Sequence, residues 1–270
     1  MKPIIQITRI VLIFTILTIT TQVGGVIYLL YKPLGMTINK RISGPKRHLR
    51  VLGLLVIYVG MTLTLVPLLA EKLGRVPLPL SNPALKPATS FTWLANRHYV
   101  KPALLNLLED TAEDVPTGVA IVYLEANFPF IDGFPLIGHL SHNDGEKVDL
   151  AFVYSNSEGT YLNDGKSFSG YGIVEPPFKT EVDQPAICEG KRYWQYSLTT
   201  QFTWIERSKT YQFDNEANKH LLTQLALDGR TGKIFIEPHL RDRLGLSQLR
   251  KMRYHGCHSS RHDDHIHLQL

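Results

Sequence analysis

Two long apolar stretches dominate the first quarter of the chain. Ile10 to Tyr31 runs without a charge, and so does Val51 to Ala70. Each is close to the ~20 residues a helix needs to cross a bilayer, so two transmembrane helices are expected at about 10–31 and 51–70. A signal peptide is the rival reading of the first stretch, but its apolar run is too long for an h-region and no convincing cleavage site follows Gly24-Gly25. Pro77, Pro79, Pro83 and Pro87 then exclude a continuous helix. Residues 1–75 therefore read as a membrane anchor, 76–89 as a linker and 90–270 as a folded domain.

Within that domain the periodicity changes from segment to segment. Lys101 to Asp110 carries an apolar stripe of Leu104, Leu105, Leu107 and Leu108 and predicts a helix, as does Asn215 to Leu227, which Asp228-Gly229 ends. Gly118 to Glu125, Val148 to Tyr154 and Lys233 to Glu237 predict strands, and Tyr193 to Trp204 reads as extended. His239 to Arg250 predicts a short helix, and a last strand is expected near His265. Strands and helices without regular alternation indicate an α+β fold, with a small antiparallel sheet flanked by helices. Trp93, Trp194 and Trp204 are expected in the core.

Charge changes the picture mainly at the membrane. Residues 1–50 hold eight Lys and Arg and no acid, while the whole chain is +5, which leaves −3 for residues 51–270. The high pI is thus a topology signal and does not point to nucleic acid. Lys32, Lys40, Arg41, Lys46, Arg47 and Arg50 lie between the two spans. Short loops rich in Lys and Arg stay in the cytoplasm, so the N-terminus and everything after Ala70 are expected outside. The only cysteines, Cys188 and Cys257, fall in that exported part, where a disulfide is the simplest reading. The competing idea makes Cys257 a metal ligand.

Histidine supplies the candidate chemistry. Seven of the eleven histidines sit in two places: His139 and His142, then His255, His258, His262, His265 and His267. His142, Asp149 and His267 make a candidate three-ligand metal site, which leaves a fourth zinc position open as catalytic sites do. Strand alternation would put Asp263, His265 and His267 on one face and Ile266, Leu268 and Leu270 on the other. Gly145 would permit the turn that brings His142 and Asp149 together. A His-rich tail that binds metal adventitiously is the plainer alternative. His255 and His258 are expected away from the metal. His139 could contact substrate or orient the His142 loop. Arg97 could meet a substrate carboxylate, or be an ordinary surface arginine.

Gly138-His139-Leu140-Ser141-His142 through Val148-Asp149, with the closing His262-Asp263-Asp264-His265-Ile266-His267, resembles a family of zinc metallopeptidases. That family includes lysostaphin-type enzymes, D-Ala-D-Ala peptidases and the hedgehog signalling domain, and the motifs look most like its penicillin-insensitive murein endopeptidases. Lys233 to Pro238 followed by a helix is similar to that branch as well, whereas Tyr161 to Gln201 matches nothing specific. The resemblance implies zinc on His142, Asp149 and His267, with His262 and His265 beside it assisting proton transfer or stabilising an oxyanion. Asp264 stands where the dipeptidase branch has a longer Glu, so His265 is favoured as acid/base group, with Asp264 as the substitute. The implied protein is an inner-membrane enzyme whose domain faces the periplasm and cuts D,D or L,D cross-links between peptidoglycan stem peptides. A carboxypeptidase, a metal-holding binding or signalling domain without turnover, and a histidine-based metal sensor are the alternatives.

Overall fold

The computed structural model describes residues 2–41, 46–201 and 210–270. Trp204 and the end of the segment expected to be extended lie outside them. Helix α1 (Lys2–Thr21) and helix α2 (Gly24–Arg41) meet at a bend, where a single span over 10–31 is expected from hydropathy. The cause is local. Gln22 is left-handed (φ 64°), and the Thr21 hydroxyl accepts from Gly24 N at 2.8 Å, so a new helix starts there. A Cβ on Gly25 would stand 2.0 Å from Thr18 Oγ1, so only glycine lets the two helices approach this closely. Helix α3 (Lys46–Leu63) packs against α2, and α4 (Leu65–Lys72) continues it after a turn at Thr64. Two windows, Ile4–Thr21 and His48–Lys72, are long and apolar enough to cross a membrane.

The stretch expected to be a linker is built into the fold. Strand β1 (Val76–Pro77) lies at its start and β2 (Leu85–Pro87) at its end, with Leu78 and Leu85 fully buried. Both strands sit at sheet edges and end in proline, which suits a residue with no N–H to give to a ladder. Short helix α5 (Ser90–Leu94) precedes β3 (Tyr99–Val100), the partner of β1. Helix α6 (Pro102–Asp114) covers the predicted 101–110 stripe, with Leu104, Leu107 and Leu108 buried. Strand β4 (Ile121–Glu125) follows, then β5 (Lys147–Leu150) and β6 (Tyr154–Ser155). The predicted 148–154 strand is therefore two strands in two different sheets. Strand β7 (Tyr161–Leu162) and, later, β8 (Gln212–Phe213) flank β6 in the smaller sheet.

Helix α7 (Gln184–Gly190) carries Cys188, and α8 (Leu198–Gln201) occupies part of the segment expected to be extended. Tyr193 N and Tyr196 N donate to Cys188 O and Tyr193 O, and these tight turns replace a strand. Trp194, expected in the core, is 73 % exposed on one of them. Helix α9 (Asn215–Leu227) has its predicted limits, capped by Asp214 accepting from Ala217 N at 2.9 Å. Strand β9 (Lys233–Phe235), α10 (Pro238–Arg243), β10 (Met252–Arg253) and β11 (Ile266–Gln269) complete the order. α10 stops well short of the expected Arg250 because Gly245 turns left-handed (φ 68°).

The fold is α+β, as expected, but the main sheet is six-stranded and mixed instead of small and antiparallel. Its order is β10-β9-β11-β5-β4-β2, with both outer pairs parallel and the central strands antiparallel. Leucines of α6 and α9 cluster with Val148, Leu150, Ile234, Ile266 and Leu268 in one core. Disulfide Cys188–Cys257 ties α7 to the loop after β10, its Cα atoms 5.3 Å apart and its halves 69 residues apart in sequence.

Candidate metal centre

The centre grows from one cross-strand pair. In the β5/β11 register His267 stands directly opposite Asp149, so their side chains share a face. Ile266 and Leu268 point to the core on the other face, as alternation requires. Asp263 departs from the expected pattern. It precedes the strand and forms a two-bond pair with Arg261, with Nε to Oδ1 at 2.7 Å.

His142 arrives on the loop between β4 and β5, which turns at Gly145 (φ +83°). A Cβ there would press on the Arg75 and Lys101 side chains at 3.2 Å. His142 Nδ1 lies 3.0 Å from Ala126 O, and a carbonyl only accepts, so Nδ1 holds the proton and Nε2 presents its lone pair. That Nε2 is 3.2 Å from Asp149 Oδ1 and 3.2 Å from His267 Nδ1, and the last two atoms are 2.7 Å apart. Atoms bound to one tetrahedral ion at about 2.0–2.1 Å lie roughly 3.3 Å from each other. The two 3.2 Å separations match that figure, whereas the 2.7 Å one is a hydrogen-bond distance that would have to lengthen around a shared cation. Gln269 Nε2 stands 2.9 Å from His267 Nε2. Turning that amide over would let its oxygen accept from Nε2 and leave Nδ1 with a free lone pair.

His139, His142 and Asp149 also lie close enough to hold an ion, with ligand atoms within 4.8 Å of one another. His139 and His267 are thus alternative third ligands, since each has its Nδ1 within hydrogen-bond distance of Asp149. His139 Nδ1 is already engaged by two carboxylates, Glu125 Oε2 at 2.9 Å and Asp149 Oδ2 at 3.0 Å. Burial opposes a charge on His139, but Asp149 and Glu125 outweigh it and raise its pKa to about 10. On His267 burial prevails over Asp149 and pushes the ring down to about 4, so it stays neutral. Asp149 is held well below the usual range despite its burial, because four histidines face it.

The residues expected beside the metal gather around Asp149. His265 Nε2 is 3.9 Å from Asp149 Oδ2, and its Nδ1 bonds Asp264 Oδ1. Burial would lower this ring, but Asp264 and Asp149 raise it. Asp264 also accepts from Gly172 N at 2.6 Å, which fixes the carboxylate that orients His265. His262 has its ring 4.9 Å from that of His265, and burial next to His265 and His267 holds it well below the ordinary value. His255 packs on Phe235 and His258 on Tyr193. Cys257 is consumed by the disulfide and is no ligand.

Arg97, expected either at a substrate carboxylate or as an ordinary surface residue, is paired with an acid of the fold. Its Nη1 is 2.5 Å from Glu125 Oε1, so the guanidinium braces Glu125, which braces His139. Glu125 was readable as the lone acid ending an apolar strand, and its meaning emerges only from the fold. Tyr171 carried no signal at all. It comes from the unmatched 161–201 segment, and its hydroxyl donates to Asp149 Oδ2 at 2.8 Å. Gly170 and Gly172 on either side are both left-handed (φ +86° and +87°), which lays Tyr171 over the centre. His142 and Asp149 are each only 1 % exposed.

No family model and no curated protein matches this sequence.

Proposed function

We propose that the chain is a membrane-anchored, zinc-dependent peptidase acting on peptide cross-links of peptidoglycan from the outer side of the membrane. The observation that carries this reading is the triangle of His142 Nε2, Asp149 Oδ1 and His267 Nδ1, with the Asp264–His265 pair beside it. Zinc held by His142, Asp149 and His267 would supply an acidified water and a Lewis acid for the scissile carbonyl. Asp264 keeps the proton on His265 Nδ1, so Nε2 is the atom that accepts a proton from the attacking water and returns it to the leaving amine. His262, which burial beside His265 and His267 keeps from being charged, would meet developing charge on the substrate oxygen. Peptidoglycan as substrate rests on the resemblance of the two histidine blocks and on the two helices apolar enough to span a membrane. The disulfide agrees with an oxidising compartment.

The burial of the cluster beneath Tyr171 favours a second reading, a metal-holding domain without turnover. Purified full-length protein in detergent separates the two when incubated with peptidoglycan, with zinc, with a chelator, or as His267→Ala. Cross-linked fragments converted to monomers only by zinc-loaded wild type support the peptidase, and His267→Ala is expected to lose its metal by elemental analysis. One metal per chain with no cleavage moves the weight to the second reading.

A further inference from the structure

Two segments of the domain touch the apolar helices, and both also build the centre. Asn96 Nδ2 donates to Tyr58 of α3 at 2.9 Å, and Tyr58 donates to Leu94 O. Phe130 N donates to Gln22 Oε1, at the bend between α1 and α2, at 2.8 Å. One residue beyond Asn96 is Arg97, and the loop after Phe130 carries His139 and His142.

These segments expose large apolar side chains to an unusual degree. Phe91 is 55 % exposed, Ile137 58 % and Leu140 67 %. Phe168, 53 % exposed, joins Phe91, Leu80 and Leu94 around one shallow hollow. Arg97 connects the group, with its guanidinium 5.9 Å from the Phe91 ring centroid and its Nη1 3.5 Å from Ile137 O. Soluble monomers seldom leave such a patch uncovered. Aromatic and aliphatic residues clustered beside membrane-spanning helices are what a bilayer's headgroup boundary accommodates.

We infer that this face, Leu80, Phe91, Leu94, Ile137, Leu140 and Phe168, lies in the outer interface of the bilayer that α1 and α3 cross, so that the metal cluster works against the lipid surface. The inference rests on the membrane reading above. Its occupant is lipid because Leu94, which lines the hollow with Phe91 and Phe168, also accepts from Tyr58 of α3 and so joins the patch to those helices.

Tryptophan quenching in the full-length chain tests it, in phosphatidylcholine vesicles containing lipids brominated near the headgroup end of the acyl chain. Two variants, with the native tryptophans replaced by Phe, carry a single probe: Leu140→Trp in the patch and Leu55→Trp on the exposed face of α3. Both are expected to lose emission to bromine, with Leu140→Trp also blue-shifted. Quenching of Leu55→Trp but not of Leu140→Trp overturns the patch and leaves the span intact. A blue shift without quenching assigns the patch to a protein contact, such as a second copy, and also overturns it. Absence of quenching at Leu55→Trp removes the span and the inference with it.

Discussion

At the scale of single residues, the centre depends on who holds whose proton. Tyr171 gives its hydroxyl to Asp149, and burial next to Asp149 raises its pKa, so it remains a donor. A hydrogen bond to a buried carboxylate contributes about 1.5–3 kcal/mol. Tyr171→Phe is therefore expected to speed release of bound metal to a chelator by roughly tenfold or more, read by stopped-flow with a metal-sensitive dye. Unchanged release would mean that Tyr171 is only a cover. Glu237 offers a test away from the ligands. Fully buried, it accepts from His262 N at 3.0 Å, and burial raises its pKa to about 7. The folded protein then holds the Glu237 proton more tightly than the unfolded chain does. Its stability falls as pH rises from the usual carboxylate range through 7, by up to ~3 kcal/mol. Melting of Glu237→Gln should lack this component, so the variant gains on wild type at pH 8 compared with pH 5. Parallel melting curves at the two pH values would refute the assignment.

At the scale of elements, local chemistry and distant contacts divide the work. α9 keeps its predicted limits because its cap, Asp214, and its stripe, Leu221, Leu222 and Leu225, are written within a few residues of one another. The turns at 193–196 had no such signal, and one of them hangs on the bond from Tyr193 N to the carbonyl of Cys188, which the disulfide ties to Cys257. In the chain-entropy picture a link closing a loop of 69 residues contributes roughly 4 kcal/mol. The Cys188→Ala/Cys257→Ala pair should lower the denaturation midpoint accordingly, and reductant should do the same to wild type. A midpoint insensitive to both would show that the segment is held by packing alone.

At the scale of the whole molecule, the bend at Gln22 alters the topology that hydropathy suggests. α1 and α2 pack as a hairpin and α3 packs on α2, so α2 must return across any bilayer that α1 and α3 cross, although among the described residues only Ile4–Thr21 and His48–Lys72 are long and apolar enough by themselves. The Lys2 end of α1 would then lie on the same side as the Lys46 end of α3, the side expected from the basic charges to be cytoplasmic, with the domain opposite. A single cysteine near Lys2, in a background without Cys188 and Cys257, should resist an impermeant thiol reagent in intact cells and react after lysis. Labelling of intact cells would restore the two-span arrangement. The sequence by itself determined what short-range patterns encode: the apolar stretches, the α+β class, α6 and α9, the cysteine pair, and His142 and Asp149 as members of a group that could hold an ion. Only the tertiary structure decided that residues 76–89 join the sheet, that Arg97 and Glu125 brace His139, and that Tyr171 covers Asp149. Those contacts join residues tens of positions apart, and their strength comes from desolvation and charge pairing that exist only once the chain is folded.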